Sequence, residues 1–325
     1  MPNQPRTLNI LLAAEESPGS AALRHICSSG HHVVAVLTTA PGDPQRSGVC
    51  WNAAQALGCQ TLPTASATVE GLAGIIRREN VDILLCVHSL FIMAREVLNA
   101  PRIGCFNLHP GPLPRYAGLN SPSWAIYRGE KEHGVTLHHM TTAIDAGPIA
   151  YQRMFPIADE DIGLSLATRC VQEGQPLLRK LLEVAAVDSR AIPHIAQDLG
   201  RREYFNGHPP MGGWLDFSRT AREVVNFLRA ACYHPFRSPW GHPKTLFAGA
   251  EVGVVTGSLT GLPAGGAPGV VTELSTVGAV VCCADESIVL QRIRFGGDYC
   301  NAAEVLKPGA LLGPAVGSKS PVCPA

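Results

Sequence analysis

Apolar residues in the first half of the chain cluster into short continuous runs bounded by turn-forming residues. Residues 8–14, Leu-Asn-Ile-Leu-Leu-Ala-Ala, read as a buried strand, with turn chemistry at Ser17, Pro18, Gly19 and Ser20 behind it. Residues 20–29 place Ala21, Ala22, Leu23 and Ile26 on one helical face, and Gly30 is the stop. Residues 33–38, 81–87 and 105–109 are further strands, and 70–79 is a helix with Leu72, Ile75 and Ile76 inward. Another helix ends at 95–99, and 134–140 is a later strand. Residues 161–187 repeat apolar side chains at helical spacing, interrupted by Gly174 and Pro176. Apolar strands alternating with helices predict an α/β fold: an open, mostly parallel, Rossmann-like sheet with helices on both faces. Such sheets bind ligands at the carboxyl ends of their strands.

The pattern changes in the second half. Residues 188–213 are turn-rich and read as a linker. Residues 221–232 form an amphipathic helix through Val224, Val225, Phe227 and Leu228. After Pro243, apolar runs at 251–256, 269–274, 279–283 and 288–295 alternate with Gly and Pro, which predicts a small C-terminal β-barrel. The expected organisation is a first domain at 1–187, the linker, an OB-like β domain at 214–312, and a loosely ordered tail at 313–325.

The 325 residues, 46% hydrophobic and 16% charged, can bury a sizeable core, so general disorder is excluded. Lys+Arg and Asp+Glu both number 26, so only a local patch could attract nucleic acid or an anionic membrane. Aromatic content of 6% argues against a broad base-stacking surface. The cysteines number 11, form no CxxC pair, and read as small buried hydrophobes of a reducing cytosol. His25, His31 and His32 flank a helix end and read as surface cations or caps. No leader or membrane-spanning run is visible, so the expected location is the cytoplasm. The stretch after the first strand, Ala13-Ala14-Glu15-Glu16-Ser17-Pro18-Gly19, lacks GxGxxG, and no P-loop occurs, which removes the common nucleotide-binding readings.

Chemistry concentrates in residues 107–118. Asn107 and His109, two apart on a strand, point to one side at its carboxyl end, and the prolines that follow stiffen the loop. Downstream, the strand Gly134-Val135-Thr136-Leu137-His138-His139-Met140 leads to a loop holding Asp145, Ala146, Gly147, Pro148 and Ile149. An amide, an imidazole and a carboxylate on neighbouring loops suit acyl transfer: oxyanion donor, proton carrier and orienting charge. His138 and His139 face opposite ways on a strand and cannot share one metal ion; a core-polar role suits one of them. Asp145 before Ala-Gly-Pro also reads as an ordinary turn residue.

Together these segments resemble the formyltransferase family that uses 10-formyltetrahydrofolate. That family reads Asn-x-His-x-Ser-Leu-Leu-Pro-x-Tyr-x-Gly, then Gly-Val-Thr-x-His, then Asp-x-Gly-x-Ile. This chain carries Asn107, His109, Pro114, Tyr116 and Gly118, then residues 134–138, then Asp145, Gly147 and Ile149, in the same order and spacing. It departs at Gly111-Pro112, where the family has Ser-Leu. Residues 214–218 before the helix and the later strands resemble the C-terminal β domain of transfer-RNA, amino-sugar and peptide-synthetase formylases.

The resemblance implies a catalytic set of Asn107, His109 and Asp145. It implies a pterin slot between Leu90, Phe91, Ile92 and Met93 on one side and Thr141 to Ile144 on the other, with 10-formyltetrahydrofolate as donor. No metal is implied. The acceptor is a small or carrier-bound amine, an aminoacyl or natural-product precursor or an amino sugar; no membrane is involved, and the oligomeric state is open. Methionyl-tRNA is the alternative acceptor. Against it, residues 40–50 are a short loop with Arg46 as its only base, offset by Asp43, and residues 201–325 carry eleven Lys/Arg against nine Asp/Glu. A formyl-folate hydrolase and a non-catalytic folate-binding protein are weaker alternatives.

Overall fold

Parallel strands covered on both faces need uninterrupted apolar runs. In the computed structural model, which describes residues 4–43 and 46–313, those runs become strands. The chain order opens β1 (Asn9–Ala14), α1 (Glu16–Ser28), β2 (His32–Thr38), α2 (Val49–Ala56), β3 (Thr61–Pro63), α3 (Val69–Arg78) and β4 (Ile83–Val87). It continues α4 (Arg95–Leu98), β5 (Gly104–His109), β6 (Ala117–Gly118), α5 (Ser121–Tyr127), β7 (Glu132–His139), β8 (Ile149–Pro156) and α6 (Gly163–Asp188). By contacts the chain divides into two units: residues 1–118, 133–155 and 168–204, and residues 119–132, 156–167 and 205–325.

The first unit is built on a seven-stranded sheet in the order β3-β2-β1-β4-β5-β7-β8. Strands β1 to β5 pair in parallel, and β7 joins β5 antiparallel. The chain turns from one side of the sheet to the other between β1 and β4, the switch point where open α/β sheets take their ligands. Leu11, Leu12 and Ala13 of β1 and Ile83, Leu84 and Leu85 of β4 are fully buried. Each buried Leu or Ile contributes about 1.5–3 kcal/mol. Leu72 and Ile76 of α3 join the same core, whereas Ile75 packs partly buried at its edge.

The second unit holds α5, a two-residue strand β9 (Tyr204–Phe205) entering it, α7 (Ala221–Ala230), β10 (Lys244–Phe247), β11 (Ala250–Pro263), β12 (Val271–Leu274), β13 (Ala279–Cys282), β14 (Glu286–Phe295), β15 (Asp298–Asn301) and α8 (Ala302–Val305). The strands run β10-β11-β14-β13-β12, with β15 against β14, and they pair antiparallel. Residues 309–313 bond to Leu246 of β10 and to Gly269 and Val271 at the β12 end. A capping box of Thr220 and Glu223 starts α7, which buries Val224, Val225, Phe227 and Leu228.

Several elements differ from the reading of the sequence. Helix α1 begins at Glu16, because Pro18 falls in the first turn, where a missing N–H costs nothing. Within the stretch read at 161–187, Gly163–Asp188 form one helix rather than an interrupted one. A Cβ at Gly174 would lie 2.9 Å from Leu108 Cδ2, so this glycine serves close packing on β5 rather than a break. Residues 49 and 50 belong to α2, not to the preceding loop, and residues 90–94 are not helical. His25 and His31 are half-buried, and burial pulls both imidazoles below their ordinary range, so neither is a surface cation. Six of the described cysteines are buried and four part-exposed, all with free thiols. Most of the tail, residues 314–325, lies outside the described residues. No described helix is long and apolar enough to cross a membrane.

Candidate active site

Strand β5 ends beside the switch point, and its register decides what gathers there. Asn107 stands opposite Cys86 of β4 and opposite His138 of β7, and His109 stands opposite Thr136. Directly opposed residues share a sheet face. Asn107, His109, Thr136 and His138 therefore form one polar patch.

Asp145 completes it. Its backbone sits at φ 52°, the left-handed region that Asp tolerates better than most residues, which turns the carboxylate back toward β5. Gly147 lets the loop close: a Cβ there would fall 1.8 Å from the carbonyl oxygen of His139. Oδ1 of Asp145 accepts from Asn107 Nδ2 at 3.3 Å and lies 3.4 Å from His138 Nε2. Oδ2 accepts the Gly118 N–H at 2.8 Å and lies 3.6 Å from His109 Nδ1. The carboxylate is only 8% exposed. Burial alone would push its pKa up, but the charge of His109, the His138 bond and the Gly118 N–H together hold it well below the usual carboxylate range. Asp145 is an anion at any neutral pH.

His109 is buried, and its Nε2 donates to the carbonyl oxygen of Tyr116 at 2.7 Å. Burial draws its pKa down, while Asp145 and the Tyr116 carbonyl oppose the shift. Both ring nitrogens thus face protein oxygens. Asn107 Nδ2 also lies 3.2 Å from His138 Nε2, and His138 Nδ1 donates to the His139 carbonyl at 2.9 Å. Thr136 fixes the loop after β5, giving its hydroxyl to Gly111 and accepting from the Leu113 N–H. Cys86 offers no thiolate: burial pushes it up to about 12. The patch can donate to a growing negative charge and move a proton, without a covalent nucleophile.

The slot residues divide. Leu90 and Ile92 are 57% and 71% exposed and Ile144 is 44% exposed, whereas Met93 is buried in the core with Phe91 partly buried against it. Met140, just before Thr141, packs on the same cluster. Thr141 donates to the Ala143 carbonyl, shaping the loop before Asp145. Leu90, Ile92 and Ile144 leave apolar surface open, while Met93 lies in the core beneath.

Two contributors were not read from the sequence as site residues. Sequence alone assigns a core-polar role to one of His138 and His139 without choosing between them; it is His138 that touches Asn107 and Asp145, and the strand pairing that brings it there is the signal that could have found it. Gln197, in the stretch read as a linker, donates to the carbonyls of Asp145 at 2.9 Å and Gly147 at 2.6 Å. Nearby, Arg202 donates to the Ile144 carbonyl. No local pattern marks either residue. No cluster of three or more metal-ligating side chains occurs among the described residues.

An amide, two imidazoles and a carboxylate gathered at the carboxyl end of β5 suit group transfer. Residues 9–182 match the model of the formyl transferase family, and residues 210–308 match that of its C-terminal domain. The chain belongs to the formyl transferase family and is an enzyme that transfers formyl groups. It is 28% identical over 301 residues to a methionyl-tRNA formyltransferase of Pseudomonas putida, covering 89% of this chain and 92% of that one. A Pseudomonas fluorescens methionyl-tRNA formyltransferase is 27% identical over 328 residues, 95% of this chain and 98% of its own. Among solved structures, the sugar 3N-formyl transferase WlaRD, with dTDP and 5-N-formyl-THF, has TM-score 0.65 at 18% identity, covering 88% of this chain and 98% of its own. HypX of Aquifex aeolicus, with tetrahydrofolic acid, has TM-score 0.58 at 16% identity, covering 92% of this chain and 46% of its own.

Proposed function

We propose that this enzyme moves the formyl group of 10-formyltetrahydrofolate to the amine of a small or carrier-bound acceptor, in the cytoplasm. The observation that carries the reading is the Asn107–Asp145–His138 contact set beside His109 at the carboxyl end of β5. Bound folate supplies the electrophilic formyl carbon. Leu90, Ile92 and Ile144 would cover its ring, with Phe91, Met93 and Thr141 setting the slot from behind. The Asn107 amide donates to the formyl oxygen as charge gathers there, an effect worth about 3–4 kcal/mol for one such donor. Asp145 holds His109 and His138 on either side and orients both rings. The attacking nitrogen gives its proton to the Asp145–His109 pair as its bond to the formyl carbon forms, and folate N10 takes up a proton as its own bond to that carbon breaks. We assign the chemistry to residues 1–187, with 214–312 as a second domain joined through 188–213.

The acceptor reading rests on charge. The segment between β2 and α2 carries Arg46 as its only base, with Asp43 against it. Placed cations are what a transfer RNA needs. A second reading, methionyl-tRNA as acceptor, is supported by the near full-length similarity to methionyl-tRNA formyltransferases. The deciding experiment incubates the protein with formyl-folate and either methionyl-tRNA or a panel of aminoacyl carriers and amino sugars, and reads the mass gain of one formyl group. Efficient turnover of methionyl-tRNA that weakens steeply with salt would replace the first reading with the second.

A further inference from the structure

The second unit carries a polar groove that the formyl-transfer chemistry does not use. Lys244 of β10 is directly opposite Gly253 of β11, Gly253 is opposite Arg294 of β14, and Arg294 is opposite Tyr299 of β15. Directly paired residues share a face, so this is one row across four strands. Arg292, two residues before Arg294, stands on the same face, and both arginines are exposed while Ile293 between them is buried.

Beside the Lys244, Gly253 and Arg294 members of this row lies a groove of about 430 Å³, lined also by Glu251, His242 and Trp240, with Arg292 and Tyr299 outside its lining on the neighbouring surface. That volume falls in the ~300–1,000 Å³ range of small-molecule sites. Its floor is open because Gly253 has no side chain; a Cβ there would touch His242 Cβ at 3.4 Å and Arg294 Cβ at 3.6 Å. Gly296 and Gly297, both at positive φ, make the tight β14–β15 turn at its rim.

The charges do not cancel. Lys244 is tied to Glu251 at 3.2 Å. Among the described residues neither Arg292 nor Arg294 makes an ion pair; Arg294 Nε donates only to the Gly297 carbonyl at 3.3 Å. Asp298, opposite Phe295, is the nearby carboxylate on β15. His242 feels this excess: burial, then Arg294 and Arg292, draw its pKa down. An aromatic surface is set beside the cations. Tyr299 is 51% exposed, its hydroxyl lies 3.1 Å from His242 Nε2, and the Arg292 guanidinium sits 5.1 Å from its ring centroid. In the groove wall the buried Trp240 has an indole N–H without an acceptor.

We propose that this groove binds a nucleoside monophosphate, with the phosphate on Arg294 and Arg292 above the Gly253 floor and the base stacked on Tyr299. Two unneutralised guanidiniums match one phosphate, and a ring fixed by neighbours offers stacking at low entropic cost. A groove of this volume suits a single nucleotide.

The test is calorimetric titration of the full chain with AMP, adenosine, inorganic phosphate and ribose 5-phosphate, alongside Arg294→Ala, Tyr299→Ala and Gly253→Leu, with formyl transfer measured in each variant. AMP should bind more tightly than adenosine, phosphate or ribose 5-phosphate. Arg294→Ala should weaken AMP by about tenfold or more. Gly253→Leu should abolish AMP binding by filling the floor while every side chain of the row remains. Formyl transfer should be unchanged in all three. No AMP binding at millimolar concentration, unchanged affinity in Arg294→Ala and Gly253→Leu, or binding only to oligonucleotides that tightens with their length would each overturn the proposal.

Discussion

Gly111 and His109 are so close that a side chain at 111 would sit against the imidazole: a Cβ there would lie 2.8 Å from His109 Nε2 and 2.8 Å from the Tyr116 carbonyl oxygen. Those two atoms are themselves hydrogen-bonded at 2.7 Å. The glycine at the motif's serine position is therefore what lets His109 donate to Tyr116. Gly111→Ser should break that bond and displace the imidazole, lowering turnover about 10²-fold, as displacement by an ångström does. Because the Tyr116 carbonyl raises the pKa of His109, the variant's imidazole should titrate at lower pH. An NMR titration of the His109 ring with steady-state kinetics checks both; an unmoved titration would show that the contact does not set His109.

Asn107 is half-buried and is the site donor held on two sides, by Asp145 and by His138. Asn107→Ala should lower turnover by about 10²–10³ with donor affinity within a few-fold, since its bond strengthens only as charge develops. Donor binding by calorimetry and single-turnover transfer separate the two effects. A loss confined to affinity would place Asn107 in ground-state binding instead.

The sheet was legible because β1, β2, β4 and β5 are buried on both faces and read as continuous apolar runs. Strand β8 was missed: its burial is irregular along Ile149–Pro156, with three exposed residues in a row, so it shows no alternation. Helix α6 read as broken because Gly174 and Pro176 are local stop signals, whereas Gly174 answers to Leu108, far away in sequence. The site divides likewise. Asn107 and His109 are two apart on one strand, a spacing that sequence shows directly. His138 and Gln197 reach Asp145 through strand pairing and a remote clamp, and nothing in their neighbours encodes those contacts.

Acid should destabilise this protein before its carboxylates titrate. Burial draws His25, His31, His109, His139 and His242 below the ordinary imidazole value. A group whose folded pKa is depressed gives stability that is complete above its unfolded pKa, about 6.5 for His, and is lost as pH falls toward the folded value. The melting temperature should therefore be flat above about pH 7 and fall between about pH 6.5 and 5. A melting temperature that rises over that interval would show these imidazoles to be charged in the folded state.

Gln197 tests whether the stretch read as a linker serves the site. Its amide nitrogen reaches the carbonyls of Asp145 and Gly147, on either side of the closest approach in the loop. Asp145 is held at positive φ, a conformation that persists only where its surroundings fix it. With the amide removed, the two carbonyls lose their donor and the loop is free to relax, swinging the carboxylate away from His109 and His138. Gln197→Ala should therefore lower turnover by about tenfold or more, although Gln197 touches no reacting group, and should speed protease cleavage within residues 141–147. Gln197→Glu replaces the donor by an acceptor facing two carbonyls and should be worse than alanine, because it adds repulsion to the lost bonds. A merely packed glutamine would give two variants alike, with cleavage unchanged. Measuring turnover and cleavage rate on the same preparations separates a clamp on Asp145 from a general loss of stability, which would accelerate cleavage along the whole chain.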